Sequence, residues 1–294
     1  MNSSIEELLT SEQQLITEAI TSKIESLPIP KRLKDSVLYS VQAGGKRIRP
    51  ILMKWTVAAL GGNIARVYPA AVALEMIHTY SLIHDDLPSM DDDKFRRGQL
   101  TNHKKFDEAT AILAGDGLLT NSFFMVSNSD QYTPKEKSYL ISLLAEASGL
   151  TGMVAGQYLD MQAENQEITI DELEEIHRLK TGGLISFAIE TGGFIAGVTN
   201  QQQLLLKDLG DCLGLIFQIQ DDILDVEGDQ ALLGKQVGSD VSNEKSTYTS
   251  ILGVDGAKQH KERYVQKMKG ILSQLHLTDS DLAQLCHYIS ERNQ

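Results

Sequence analysis

The sequence predicts an all-α protein, and three observations support this. All six prolines lie at or before Pro134, so residues 135–294 contain no proline to interrupt a helix. No long alternation of apolar and polar residues marks a strand, and no Asn-Gly or Asp-Gly pair joins two β-branched runs. Apolar residues instead recur at helical spacing, as in Ile16, Ile20 and Ile24. With 41% apolar and 23% charged residues, the chain has a globular composition with enough length for a large core.

Helix breakers and capping residues divide this predicted bundle into elements. No linker rich in proline, serine or charge interrupts the chain, and no repeat of 20–50 residues appears, which indicates one domain over residues 1–294. Several segments are apolar nearly all round, which predicts burial inside a large bundle. The first predicted helix ends at Pro28 and Pro30, and a second begins at Pro50 between the pairs Gly44-Gly45 and Gly61-Gly62. An apolar helix is predicted over 70–85 and a long central helix over 201–226. Further helix starts are predicted at Thr133, Thr169 and Thr278–Asp281.

Charge and cysteine content exclude several classes of protein. The net charge is −13, from 27 basic and 40 acidic residues, and this argues against a general nucleic-acid binder while leaving phosphate ligands open. Cys212 and Cys286 are the only cysteines, so neither a disulfide framework nor a thiolate metal site is expected. The N-terminus lacks a secretory pattern, and no run of 18 apolar residues predicts a membrane span. These features favour a cytoplasmic location.

The first of two aspartate clusters follows the apolar helix over 70–85. Asp85, Asp86, Asp91, Asp92 and Asp93 fall within nine residues. The first two end a helix, where the macrodipole already disfavours negative charge, and crowded carboxylates destabilise a fold unless a cation is present. Carboxylates without histidine or cysteine suit hard ions, above all Mg²⁺. A solvated charged loop is the simpler alternative for this cluster taken alone.

The second cluster closes the long central helix. Asp221 and Asp225 are four residues apart and share a helical face, while Asp222 lies about 100° round the helix from Asp221. A charged surface is again the alternative for this cluster alone. If both clusters face each other across a bundle, they predict a site that holds Mg²⁺ ions around a polyanion such as a diphosphate.

Basic residues that could bind a phosphate group lie before and after the first cluster in the sequence. Gly44-Gly45 precede Lys46, Arg47 and Arg49, and glycines allow backbone N–H groups to approach an anion closely. Arg96 and Arg97 follow the aspartates directly, and arginine suits bidentate phosphate contacts. Scattered lysines are usually exposed surface residues, so Lys180, Lys235 and Lys245 are weaker candidates for phosphate binding on sequence alone. By the same standard, His78 and His84 are more typical of packed core histidines.

These motifs, in this order, resemble the trans-prenyltransferase (polyprenyl diphosphate synthase) family, most closely its bacterial farnesyl diphosphate synthases. The resemblance extends from about residue 44 to residue 248 and rests on GGKRIRP, EMIHTYSLIHDDLPSMDDD, RRG, GQYLDM, LKTGGLI, FQIQDDILD and KSTY. It implies a single polyprenyl synthase domain with the isoprenoid synthase fold, a helical bundle around a central apolar cavity. It also implies a homodimer. Two departures, Lys94 within the aspartate run and Glu244 before Lys245, leave the metal ligands intact.

The resemblance also implies roles for individual residues. Head-to-tail condensation of isopentenyl diphosphate with an allylic diphosphate proceeds by departure of diphosphate, attack of the double bond on an allylic cation, and loss of a proton. Asp85, Asp91 and Asp221 would bind three Mg²⁺ ions, supported by Asp86, Asp222 and Asp225. The group that would bind isopentenyl diphosphate consists of Gly45, Lys46, Arg49, His78 and Arg97. The allylic diphosphate would be bound by Arg96, Lys180 and Lys235, with Lys245 nearby, and the path of the developing cation would be lined by Thr181 and Gln218. The catalytic residues implied in this way are Lys180, Thr181, Gln218 and Lys235.

Product length is a separate inference from the helix that ends at Asp85. A bulky Tyr80 beside a small Ser81 resembles farnesyl synthases, in which the ring stops the growing tail; if Tyr80 is only a core aromatic, the product would be geranylgeranyl diphosphate. A class I terpene cyclase is disfavoured by the second aspartate cluster and the Lys46–Arg49 segment. An inactive regulatory subunit is disfavoured because the expected aspartates are all present.

Overall fold

The computed structural model describes residues 5–227 and 246–292, and the regular secondary structure in them is helical apart from one short hairpin. The predicted all-α fold class is therefore confirmed. The elements are α1 (Ile5–Glu25), α2 (Lys31–Gln42), α3 (Ile48–Ala59), a 3₁₀ turn (Ile64–Arg66), α4 (Tyr68–Asp85), β1 (Phe95–Arg96), β2 (Gln99–Leu100), α5 (Asn102–Lys105), α6 (Glu108–Ser127), α7 (Pro134–Ser148), α8 (Met153–Ala163), α9 (Ile170–His177), a π-helical segment (Arg178–Gly182), α10 (Gly183–Ala196), α11 (Asn200–Glu227), α12 (Tyr248–Gln274) and α13 (Asp281–Glu291).

The predicted capping residues act as expected at two helix starts. Thr133 N–H donates to the Glu136 carboxylate at 2.7 Å, and the Glu136 N–H donates back to Thr133 Oγ1 at 3.4 Å, so α7 opens with a capping box. Thr169 and Glu172 form the same box at α9.

One predicted boundary was slightly wrong, whereas the helix start predicted over Thr278–Asp281 is confirmed. Helix α3 begins at Ile48, which places Pro50 within the first turn; a proline is tolerated there because first-turn N–H groups lack helical partners. The cap of α13 is Ser280, whose Oγ accepts from the Ala283 N–H at 3.1 Å.

The chain separates into two compact units. Unit 1 comprises the described residues up to Lys54 together with Ile64–Ser142, and unit 2 comprises Trp55–Asn63 and the described residues from Leu143 onward. The prediction of one domain over the whole chain stays a prediction.

Unit 1 is organised around α4. Eleven of its 18 residues are buried, in agreement with its nearly uniform apolar character. Helix α6 packs closely against it, because Gly115 leaves room for a neighbouring ring: a Cβ at Gly115 would lie within 3 Å of the His84 imidazole. This contact fixes the end of α4 that carries the first aspartates.

Unit 2 is organised around α11, which packs against α10 and α12. The π-helical segment approaches α11 closely at Gly214, where an added Cβ would lie 2.5 Å from the Cα of Gly182. A buried apolar cluster supports the end of α11 that carries the second aspartates; it consists of Leu173, Leu215, Ile219, Ile223, Tyr248 and Ala257.

Candidate active site

The glycine loop before α3 is shaped by Arg97. Gly44 and Gly45 have φ values of +92° and +115°, a region that favours glycine. The Arg97 guanidinium donates to the Gly44 carbonyl, and a Cβ at Gly45 would lie 2.5 Å from its central carbon. Gln13 on α1 donates to the Gly45 carbonyl at 2.7 Å. Gly45 is therefore required both by its backbone conformation and by the close approach of Arg97.

Arg47 has a structural role that the sequence did not reveal. It forms a 2.6 Å ion pair with Glu75 of α4, and both side chains are almost completely buried. It also donates to Thr17 of α1 and to the Val41 carbonyl. Of the three cations in the segment 46–49, Arg47 thus holds the loop in place, while Lys46 is exposed and Arg49 half-buried.

His78 lies among cations. Its Nε2 is 3.3 Å from Arg49 Nη1. Burial of the ring, and then the charges of Arg49 and Arg97, hold the pKa of His78 well below its usual value of 6.5. The structure thus joins the predicted residues Gly45, Arg49, His78 and Arg97 in one region of unit 1, with a neutral imidazole among positive charges.

The β1–β2 hairpin explains how two arginines that are adjacent in sequence contact different partners. Its turn residues Arg97 and Gly98 both have positive φ, +53° and +75°, as a tight two-residue hairpin requires. Arg97 reaches the glycine loop, whereas Arg96 binds Asp86 with contacts of 2.6 and 2.7 Å. Both arginines and Asp86 line one cleft of unit 1.

Within the first aspartate cluster, the five carboxylates have different surroundings. The Asp91 N–H donates to the Asp85 carbonyl at 2.9 Å, so the turn after α4 returns the chain to the helix end and brings these two residues together. Asp86 is only 3% exposed, and burial, partly offset by Arg96, raises its pKa. Asp86 therefore acts as the partner of Arg96, while Asp92 lies 3.3 Å from Lys104 at the surface.

Within the second cluster, adjacent aspartates also differ. Asp221 is half-buried and pairs with Arg292 at 2.7 Å. Asp222 is 2% exposed and accepts from Gln218 Nε2 at 2.9 Å and from the Tyr248 N–H at 2.8 Å. Asp225 is likewise buried. Hydrogen bonds from the protein therefore hold Asp222 in place, and its predicted role in supporting a metal ion stays a prediction.

Thr181 and Gln218, to which the resemblance assigns the developing cation, are in contact in unit 2. Thr181 Oγ1 donates to Gln218 Oε1 at 3.2 Å. A carboxylate can accept a hydrogen bond from the nitrogen of the Gln218 amide but not from its oxygen. The bond to Asp222 therefore turns the amide oxygen of Gln218 toward Thr181. Lys180 Nζ, in the same π-helical segment, lies 2.5 Å from Asp160 of α8, a partner that the sequence reasoning missed. Lys235, Glu244 and Lys245 lie outside the described residues.

The residues of the predicted chain-length gate are on α4. Tyr80 is 6% exposed and packs edge-on against the His84 ring, with the centroids 5.6 Å apart. Burial, and then the charge of Asp85, raise the pKa of Tyr80 to about 12, so the phenol stays neutral. Ser81 donates to the His78 carbonyl at 3.0 Å, and His84 Nε2 lies 3.1 Å from the Ile112 carbonyl. His84 is therefore a packed residue that joins α4 to α6, as its sequence setting indicated.

The donor chemistry of the aspartates fits Mg²⁺, although in residues 5–227 and 246–292 no three His, Cys, Asp or Glu side chains converge on one point. Asp85 and Asp91 offer hard carboxylate oxygens at one helix end, and Asp221 offers them at another. Mg²⁺ is commonly held by one or two carboxylates, with water and phosphate oxygens completing its shell. Each of these two groups, taken by itself, therefore suits an ion that arrives together with a phosphate ligand.

Comparisons with known proteins agree with this geometry. The farnesyl diphosphate synthase of Micrococcus luteus is 51% identical over 279 residues, covering 95% of each chain, and that of Geobacillus stearothermophilus is 46% identical, covering 99% of this chain and 98% of the relative. The structure of Helicobacter pylori geranyltransferase complexed with magnesium and isoprenyl diphosphate superposes with a TM-score of 0.82 at 30% identity, covering 98% of this chain and 97% of that one. The polyprenyl synthetase family model matches residues 30–288, and the chain belongs to this family.

Proposed function

We propose that this protein condenses isopentenyl diphosphate with dimethylallyl diphosphate, and then with geranyl diphosphate, to give farnesyl diphosphate. The observation that carries the proposal is the division of charge in unit 1: Asp85 and Asp91 meet at the end of α4, while Arg49, His78 and Arg97 meet at the glycine loop. Two different diphosphate sites are what a condensing enzyme needs. The curated relatives named farnesyl diphosphate synthase support this product.

The cationic region suits the diphosphate of isopentenyl diphosphate. Desolvation of the Arg97 guanidinium against the glycine loop, and then the nearby charge of Arg47, lower the pKa of Arg97 to about 10. An anion bound there relieves this repulsion. Lys46, Arg49 and Arg97 therefore bind and orient the nucleophilic substrate, with the Gly45 backbone and neutral His78 as hydrogen-bonding groups.

The aspartates serve the allylic diphosphate. Asp85, Asp91 and Asp221 would hold Mg²⁺, with three ions expected in the substrate complex. When bound, the metal neutralises charge on the departing diphosphate. Arg96 and Lys180 would add direct cationic contacts to this leaving group, and Asp86 and Asp160 orient them through the ion pairs described above. The same role is proposed for Lys235, with Lys245 as a further candidate.

The cation left after departure of diphosphate needs negative dipoles and the absence of water. Thr181 Oγ1 and Gln218 Oε1 provide two adjacent oxygens, and Asp222 fixes the orientation of the Gln218 amide. The proposed reaction also requires an apolar cavity that excludes water, because water would quench the cation. The double bond of isopentenyl diphosphate then attacks, and the diphosphate leaving group accepts the proton that is lost. Tyr80, beside Ser81, stops the growing tail at the farnesyl length.

The expected setting is a cytoplasmic homodimer with one polyprenyl synthase domain in each copy. Two helical stretches, Glu108–Ser127 and Pro134–Ala163, are long and apolar enough to span a membrane by composition, and 33% of the 18-residue apolar window in each is buried. Core helices of soluble proteins pass the same test. On α6, Ile112, Leu113 and Phe124 are exposed, and we propose that a second copy of the chain covers them.

The decisive experiment is incubation with isopentenyl and dimethylallyl diphosphates and Mg²⁺, with products separated by chain length. Farnesyl diphosphate as the main product is expected, with none formed when EDTA removes the metal. Geranylgeranyl diphosphate as the main product would contradict the gate at Tyr80. Cyclic hydrocarbons, or no product at all, would overturn the condensation itself.

A further inference from the structure

The C-terminal end of the described chain is attached to the end of α11 that carries the second aspartate cluster. Gln220 Nε2 donates to the Arg292 carbonyl at 2.8 Å. Lys261 of α12 donates to the Ser290 carbonyl at 2.8 Å and to Gln220 Oε1 at 2.7 Å. The backbone of Arg292 is therefore held in place independently of its side chain.

The side chain of Arg292 is a built feature of this end of α11. Its guanidinium carbon lies 4.0 Å from the centroid of the Phe217 ring, and Nη2 donates to the Phe217 carbonyl at 3.1 Å. Only 7% of the side chain is exposed. A planar cation stacked on a ring and donating to a carbonyl has few other conformations available, so its position is fixed before any ligand arrives.

The guanidinium contacts the carboxylate of Asp221: Nη2 of Arg292 donates a hydrogen bond to Oδ1 of Asp221 at 2.7 Å. Asp222 and Asp225 lie within the next turn of the same helix, so negative charge is concentrated there. Asp222 is satisfied by an amide and a backbone N–H, neither of which carries a formal charge. Arg292 thus brings a full positive charge to the one aspartate of this cluster that the proposed function assigns to a metal ion.

We propose that Arg292 is the counter-ion of Asp221 when metal is absent, and that it sets the concentration of Mg²⁺ needed to occupy this position. The inference rests on the assignment of Asp221 as a metal ligand. Without metal, the guanidinium stabilises the carboxylate and holds it in one conformation. With metal, two cations share the carboxylate and repel each other, so Arg292 weakens the binding of Mg²⁺.

The test compares Arg292→Gln, which removes the charge and keeps an amide donor, with Arg292→Lys, which keeps the charge. Thermal unfolding in EDTA measures the counter-ion role, and a titration of Mg²⁺ in the presence of inorganic diphosphate, followed by calorimetry, measures the half-saturating concentration. For Arg292→Gln we expect unfolding a few degrees lower without metal and a half-saturating Mg²⁺ concentration several-fold lower. Arg292→Lys should stay close to the parent protein in both.

If Arg292 had only a structural role, its substitution would act independently of the Asp221 carboxylate. The variant Asp221→Asn, which lacks that carboxylate, is the background that tests this. There the substitution Arg292→Gln should no longer shift the Mg²⁺ titration, because the shared carboxylate is gone. An unchanged or raised half-saturating concentration for Arg292→Gln would overturn the proposal, as would the same shift in both backgrounds. The condensation assay on the unaltered protein tests the proposed function separately, since its result does not depend on whether Arg292 competes with the metal.

Discussion

The two aspartate clusters end two buried helices in the same way and are neutralised in different ways. At each helix end, the first aspartate of the pair, Asp85 or Asp221, is half-buried, and the second, Asp86 or Asp222, is 3% or 2% exposed. Adjacent helical residues point about 100° apart, so only one of the two can face a ligand while the other faces the core. Neighbouring aspartates in such a motif therefore have different tasks.

The clusters differ in where their partners come from. Asp86 is paired with Arg96, ten residues along the chain, and Asp92 with Lys104, twelve residues along. Asp221 is paired with Arg292, 71 residues away. The first cluster is thus neutralised mainly by its own segment, whereas the second depends on the packing of α13 against α11.

The largest effect is expected when the ligand-facing aspartates are removed. Asp85→Ala or Asp221→Ala should lower turnover on the order of 10³-fold, because each removes charge stabilisation from the leaving group. Steady-state kinetics with labelled isopentenyl diphosphate measures this, and circular dichroism checks that the helices remain. Turnover like that of the parent protein in either purified variant would contradict the assignment of that residue.

A smaller effect is expected at the buried aspartate of the second pair. Asp222→Ala should lower turnover about 10–100-fold, because the Gln218 amide loses the acceptor that fixes its orientation. The comparison with Asp221→Ala under identical conditions is the measurement. Asp222→Asn, which retains one acceptor oxygen, is the matched control and should lose less. A loss equal to that of Asp221→Ala would show that the two aspartates are not distinct.

A moderate pH effect is expected from His78, which is buried beside the arginines of the glycine loop. Folding lowers the pKa of His78 well below 6.5, so the folded state resists protonation, and stability is lost as the pH falls below 6.5 toward the lower folded pKa. The variant His78→Gln should therefore lose less stability than the parent protein between pH 7 and pH 5. Urea unfolding at several pH values measures this difference; identical pH profiles would contradict it.

The smallest effect on rate, but a clear change in product, is expected at Tyr80. Tyr80→Ala should leave the first condensation nearly unchanged and shift the product beyond farnesyl, because the ring that stops the tail is gone. Tyr80→Phe, which keeps the ring and its packing on His84, should leave the product unchanged. Chromatography of the dephosphorylated products is the measurement. An unchanged product from Tyr80→Ala would remove Tyr80 from the gate.

Local interactions explain what the sequence by itself determined. The helical period of apolar residues, the absence of proline after Pro134, and the boxes at Thr133 and Thr169 act over three or four residues, so they specify helices before any tertiary contact forms. The motifs likewise indicate the family and single out the residues of the glycine loop and the pair Thr181 and Gln218, and each of these two groups lies together in the structure.

Only the tertiary structure decided which charged residues hold others in place. Arg47 is buried against Glu75, Lys180 meets Asp160, and Asp221 meets Arg292, at separations of 28, 20 and 71 residues. A lone arginine or aspartate carries no local signal of its partner, because the pairing depends on which helix faces are packed together. Arg96 and Arg97, adjacent in sequence, are directed to different partners by a turn with two positive φ values. The sequence therefore determined the helices and the chemistry they carry, and the packing determined which side chains support that chemistry.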